Sequence, residues 1–288
     1  MTTKTTDLPA PSFRIFQPRG IISGWLKEMI KPSWKLLALP LLLFIAIPIL
    51  SLFLRTSLAD LLENLNQGQV IKAVSLSLRT SLITIVVTWI VGTPVAYLLS
   101  KRHFRLYRLV DTLIDLPTVL PPAVAGVALL MAFGRRGLFG PWLEIAGINI
   151  PFTFIAVVMA QTFLAAPFYV KAAAIGFSAI DPELKEAAAL DGASHWQIFR
   201  HVTLPLSWMA LMSGSVMTWA RALGEFGATI IFAGNFPGRT QTMPLAIYIG
   251  FEIDLNVALT LAIILISFSF LTLVIVKGFL HRRLDTSF

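Results

Sequence analysis

The sequence predicts an all-α integral membrane protein with six transmembrane helices and both termini in the cytoplasm. Three observations carry this prediction. Only 13% of the 288 residues are charged and 56% are apolar, whereas an ordinary soluble domain is about 25% charged, so the chain lacks the charge to cover a water-facing surface. Six apolar runs reach the roughly 20 residues that a helix needs to cross a hydrocarbon core about 30 Å thick. The Lys and Arg residues are sorted between alternate connections, as expected where cytoplasmic loops collect positive charge.

Before the first run lies a tail, residues 1–35, in which Ile21, Ile22, Trp25, Leu26, Met29 and Ile30 recur at helical spacing beside Lys27 and Lys31. That pattern suggests an interfacial helix ended by Pro32; a loosely ordered tail is the other reading. No small-residue cleavage pattern of a signal peptide precedes the first apolar run. Residues 36–288 then form one transmembrane domain. The first span covers residues 36–54 and the second 74–99, with Pro94 read as a kink. The third, 110–133, carries Pro117, Pro121 and Pro122 ahead of the small run Ala123, Val124, Ala125 and Gly126. Prolines remove backbone donors, so this span is expected to kink or break near midplane. Broken backbone there is tolerated only inside protein or along a cavity, which makes Pro121, Pro122 and Gly126 gate candidates; a simple kink is the alternative.

The fourth span, 152–176, contains Pro167, read as a kink, and Lys171, expected to snorkel to the inner surface. The fifth, about 206–233, holds Ala220, Gly224 and Ala228 at four-residue spacing, a stripe that lets another helix approach closely. Arg221 and Glu225 sit at i and i+4 on the neighbouring face and can pair. A charge at that depth needs a partner or a wet cavity. Arg221 therefore either borders a wet path, with Glu225 and Thr229 beside it, or forms an internal ion pair that fixes packing; because Glu225 would neutralise the arginine and repel any anion beside it, the pair is favoured. The sixth span covers 257–279.

Fifteen Lys and Arg residues lie in the tail, in 101–108, between spans four and five, and after 276, whereas the alternate connections hold five: Arg55, Lys72, Arg135, Arg136 and Arg239. The net charge of +8 is thus an orientation signal, and dispersal over several loops argues against a nucleic-acid partner. With no cysteine, disulfides and thiolate chemistry are excluded. His103, His195, His201 and His281 lack metal-ligand spacing, and no Gly-x-x-x-x-Gly-Lys-Ser/Thr phosphate loop occurs.

The connection 181–205 is the one long stretch that is not hydrophobic filler. Asp181 can cap a helix that has Pro182 and Glu183 in its first turn. Gly192 can end it, and Ser194 can cap a second helix that stops before Pro205. The spacing Glu186-Ala187-Ala188, three residues, Gly192, nine residues, Val202, one residue, Leu204-Pro205 resembles the EAA loop of ABC importer permeases, with Val202 where Ile is usual. The resemblance implies the type I ABC importer permease fold. It also implies that Glu186, Ala187, Ala188, Gly192, Leu204 and Pro205 dock this loop onto a cytoplasmic ATPase subunit and carry its closure into the membrane.

The stretches 220–229, 232–235 and 241–248 resemble the oxyanion branch of that family, which imports molybdate, tungstate, sulfate or thiosulfate. Residues 240–248 and 134–140 look closer to molybdate permeases, whereas 115–126 also resembles sulfate permeases. The resemblance implies two copies of the chain, two ATP-binding-cassette subunits that hold the ATP and Mg²⁺, an extracytoplasmic oxyanion-binding protein, and no cofactor or enzymatic site in this chain. The path then runs between copies along spans three and five. A secondary transporter driven by an ion gradient is the rival. It predicts ionisable groups near midplane and repeated halves; the sequence offers Arg221 and Glu225 on one span. A membrane-embedded enzyme would need a paired acid and base within the spans.

Overall fold

The structure, a computed structural model of the chain, describes residues 22–101 and 105–284, with side-chain surroundings over 36–101 and 105–274. Residues 1–21 of the predicted tail, His103 and the surroundings of His281 fall outside the described residues. The chain divides after Leu54 into two units. In the first, α1 (Ile22–Arg55) is one continuous helix, so Pro32 does not end an interfacial helix as expected.

The second unit contains α2 (Leu58–Leu65), α3 (Gly68–Ser100), α4 (Tyr107–Val119), α5 (Pro122–Phe133), α6 (Gly140–Ile145), α7 (Phe154–Ser178), α8 (Pro182–Leu190) and α9 (His195–Ile198). A π turn (Phe199–Thr203) follows, then α10 (Leu204–Leu206), α11 (Trp208–Leu223), α12 (Gly227–Phe232), α13 (Met243–Ile253) and α14 (Leu255–Leu284). Among the described residues, Leu36–Arg55 of α1, α3, α7 and Leu255–Val274 of α14 are long and apolar enough to cross a bilayer, and α4 with α5 counts as a fifth if the bent pair is one span. Pro94 and Pro167 lie inside continuous helices.

The core of this unit is α7, packed between α3 and α11. Because lipid is as apolar as the side chains, helices in a bilayer associate through close packing and hydrogen bonds. Both are present. Gly92 faces Val170 and Tyr169, and a Cβ on Gly214 would lie 2.8 Å from the Ala172 Cβ. Along α3, Ser77, Thr80, Ser81, Thr84, Thr88, Gly92 and Ala96 are buried at helical spacing. Ser81 Oγ accepts from Trp219 Nε1 at 2.9 Å, Ser215 Oγ from Trp89 Nε1 at 2.7 Å, and Gln161 Oε1 from Thr84 Oγ1 at 3.1 Å.

Two predicted spans are broken. The third bends by 117° between α4 and α5, at Leu120 and Pro121, whose backbones are extended; this is far more than a kink. The fifth stops as α11 at Leu223 and restarts as α12 at Gly227, so Ala220, Gly224 and Ala228 do not share one helical face. In the break, the Glu225 carboxylate replaces a backbone acceptor by taking the Ala228 N–H at 2.9 Å. After span five, α13 forms a hairpin with α14, the sixth span, in which Gly250 lies against Ala258. Asp254 Oδ1 caps its second arm by accepting from Asn256 N at 3.0 Å.

Candidate coupling loop and membrane path

The 181–205 connection begins as predicted. Asp181 Oδ1 accepts from Glu183 N at 3.0 Å, Pro182 fills the first helical position of α8, and no residue of α8 is buried. Glu186 is therefore presented outward on a slim, Ala-rich helix. Gly192 ends it at φ +85°, a conformation that side chains resist. Ser194 and Gln197 form a reciprocal capping box at the start of α9.

The second helix does not stop before Pro205. It continues through the π turn into α10, with Leu204 N donating to Phe199 O. Pro205 cannot donate to His201 O, and its ring would crowd that carbonyl in a regular α-helix; widening the preceding turn relieves the conflict. The wide turn also projects Phe199 inward. Its ring meets Tyr97 of α3 edge-on at 5.1 Å and Phe177 of α7 at 6.0 Å, and stacks on Trp196 at 5.7 Å. Sequence reasoning missed this contact because Phe199 lies in the nine-residue spacer of the motif and its partners are on other helices.

A second tether starts on α8 itself. Lys185 Nζ donates to Phe177 O at 3.3 Å, at the end of α7. Burial lowers its pKa, and the like charge of Lys101 adds to the effect. Lys101 in turn sits 4.7 Å above the Tyr97 ring. The loop thus touches α3 and α7 through one aromatic cluster, at Phe199, and one cation–carbonyl contact, at Lys185.

The six residues predicted for the path flank the two breaks, which touch at Pro122 with Gly227 and at Gly126 with Ala228. A Cβ on Gly227 would lie 2.7 Å from the Pro122 Cβ, and one on Gly126 would lie 2.9 Å from the Ala228 Cα and O. Pro121 sits just ahead of α5 as its N-cap. Arg221 Nη1 donates to Glu225 Oε2 at 2.7 Å, and Glu225 Oε1 accepts from Ala228 N at 2.9 Å. Glu225 is 1% exposed and Arg221 30%. The pair is therefore not a rung on one helix: Arg221 ends α11, Glu225 sits in the break, and its carboxylate satisfies a donor of α12. Thr229 is fully buried in α12, and its hydroxyl finds no partner among the described residues.

Lys171 does not snorkel freely. Its ammonium donates to Asp111 at 2.6 Å and pairs with Asp115 at 2.8 Å, two carboxylates one turn apart on α4. The ionisable groups of the spans are therefore not limited to Arg221 and Glu225. The i, i+4 spacing of Asp111 and Asp115 was the available signal, but nothing local pointed to a lysine 60 residues away. Because either carboxylate holds the ammonium alone, Asp111→Asn and Asp115→Asn are each expected to cost less than about 1 kcal/mol. The double substitution should cost clearly more than their sum. Thermal unfolding of the purified subunit measures this, and simple additivity would show that the two acids do not share the lysine.

Residues 90–286 match the model of the binding-protein-dependent transport system inner membrane component family. The chain is 35% identical over 255 residues to the "Probable transport system permease protein NifC" of Clostridium pasteurianum, spanning 88% of this chain and 89% of that protein. It is 39% identical to the molybdenum transport system permease protein ModB of Mycobacterium tuberculosis, over 82% and 89% of the two chains. To the sulfate transport system permease protein CysW of Synechococcus elongatus it is 33% identical, over 78% and 79%. Its fold resembles a chain of a bacterial alginate ABC transporter crystallised with a pentasaccharide-bound periplasmic protein, at a TM-score of 0.63 and 19% identity, covering 88% of this chain and 95% of that one. A match across most of the chain to one family model and to several full-length permeases, with the fold of a type I importer permease, places this multi-pass chain in the binding-protein-dependent transport system inner membrane component family.

Proposed function

We propose that the chain is the membrane subunit of an ATP-driven importer of molybdate. It works as two copies of six spans each in a prokaryotic cytoplasmic membrane, with both termini inside. Two ATP-binding-cassette subunits hold the ATP and Mg²⁺, and an extracytoplasmic binding protein delivers the anion. The observation that carries this reading is the exposed α8, which presents Glu186 to a partner while Phe199 and Lys185 tie the loop to α3 and α7. Closure of the ATPase dimer draws the two α8 helices together and opens the path outward, and hydrolysis reverses the change. The anion assignment rests on the 39% identity to ModB against 33% to CysW. A sulfate, thiosulfate or tungstate permease is the second reading.

Cysteines placed at Ala188 or Ala189 are expected to crosslink to a cysteine-bearing ATPase subunit in the assembled complex. Vesicles carrying all components should take up labelled molybdate only with ATP and the binding protein, with sulfate competing weakly. Uptake by the permease alone would overturn the importer reading, and preferential uptake of sulfate would overturn the choice of anion.

A further inference from the structure

The cleft between the start of α3 and the turn before α13 carries a cluster of cations that the coupling loop and the broken spans do not use. Lys72, Ser75 and Arg79 follow one face of α3 at i, i+3 and i+7, and with Gly238 and Arg239 they line a cleft of about 380 Å³. No Asp or Glu lines it, and none of the three cations has an ion pair among the described residues. All three are exposed. Arg79 lies seven residues beyond Lys72, about 10 Å further along the helix. An unpaired arginine so far into a span is costly against lipid and calls for water or an anion beside it.

The cleft is held in shape before any ligand arrives. Phe236 O accepts from the N–H groups of Arg239, Thr240 and Gln241 at 2.9–3.0 Å, and Thr240 Oγ1 accepts from Phe236 N at 3.0 Å. Ser77 Oγ accepts from Met243 N at 2.7 Å, which fastens the far end of the turn to α3. At Gly238, φ is +74° and a Cβ would lie 3.6 Å from Lys72 Cδ, so the turn carrying Arg239 runs directly beside the Lys72 stem. Three like charges held together repel one another when the cleft is empty, and a dianion relieves all three at once.

We infer that Lys72, Arg79 and Arg239 form a binding site for a tetrahedral divalent oxyanion. The predicted topology puts it at the outer end of α3, so it is the first station for an anion released from the binding protein. Its role on the path rests on the transport reading above; its anion chemistry does not. The exposed flanks leave the anion partly hydrated, which suits capture followed by release. A phospholipid headgroup shares the tetrahedral chemistry, and an acidic protein surface would meet the same charges, so the test separates them.

The permease–ATPase complex without binding protein, in phosphatidylcholine nanodiscs, is dialysed against labelled molybdate and, separately, labelled sulfate. Arg79→Gln and Arg239→Gln are each expected to weaken dianion binding by about tenfold, the loss of one charge about 5 Å from a dianion in a water-like medium. Arg79→Lys should retain most of it, with elution profile and unfolding midpoint unchanged in all three. Equal dianion binding by wild type and variants overturns the site. So does wild-type binding displaced by phosphatidylglycerol at trace levels, which would make it a lipid site, or, in a parallel titration of the same nanodiscs with the binding protein, variants that lose affinity only for that protein, which would make it a docking face. If the wild-type complex binds dianion here but vesicles take up no oxyanion, the transport reading fails and the site stands.

Discussion

Replacing Arg221 by Gln is expected to destabilise the subunit by about 3–5 kcal/mol, the cost of removing one partner from a buried ion pair. The penalty comes from the residue left behind. Glu225 is 1% exposed and Arg221 30%, so loss of the arginine strands a carboxylate that water cannot reach, whereas loss of the glutamate strands a guanidinium that water partly can. Glu225→Gln alone should therefore cost less, and the double variant Arg221→Gln, Glu225→Gln should recover most of the single loss. An amide at 225 can still accept from Ala228 N, which keeps the start of α12 satisfied. Yield of folded complex and its unfolding midpoint report the effect. An Arg221→Gln complex of normal stability whose transport has collapsed would instead put the arginine on the path.

Truncating Phe199 to Ala should uncouple the machine without dismantling it. The ring is the common contact of Tyr97, Phe177 and Trp196, and each such aromatic pair is worth about 0.5–1.5 kcal/mol beyond its buried area. With three contacts gone, the loop keeps Lys185 on the Phe177 carbonyl and Leu204 against the cluster formed by α3, α7 and α11. Molybdate imported per ATP hydrolysed is expected to fall by about tenfold or more, the equivalent of about 1.4 kcal/mol lost from the linkage. ATPase activity of the complex should persist. Phe199→Leu, which keeps much of the volume, should restore part of the ratio. Parallel loss of hydrolysis and uptake at a constant ratio would show that Phe199 serves assembly and not transmission.

The coupling loop was legible residue by residue because its signals are local. Asp181, Pro182, Gly192 and Ser194 act on backbone within three residues of themselves, and those caps appear where sequence places them. Pro205 was legible only in part: a proline forbids one donor, but whether the chain stops or widens into a π turn depends on what Phe199 can pack against. The break at Gly224 was hidden for a different reason. No proline interrupts residues 206–233, and the helical spacing of Arg221 and Glu225 imitates a continuous helix.

Composition and charge placement by themselves determined that this is an α-helical membrane chain, and the spacing from Glu186 to Pro205 carried its resemblance to the EAA loop of ABC importer permeases. Those properties depend on counts, periods and contacts within a few residues. The tertiary structure alone decided that two broken spans meet at Pro122 and Gly227, that Lys171 is shared by Asp111 and Asp115, and that Arg239 closes a cleft begun by Lys72 and Arg79. Helical periodicity reports which side chains share a face but not which face of a distant helix they will meet. That choice is made by close packing of small residues and by the satisfaction of polar groups that lipid cannot solvate.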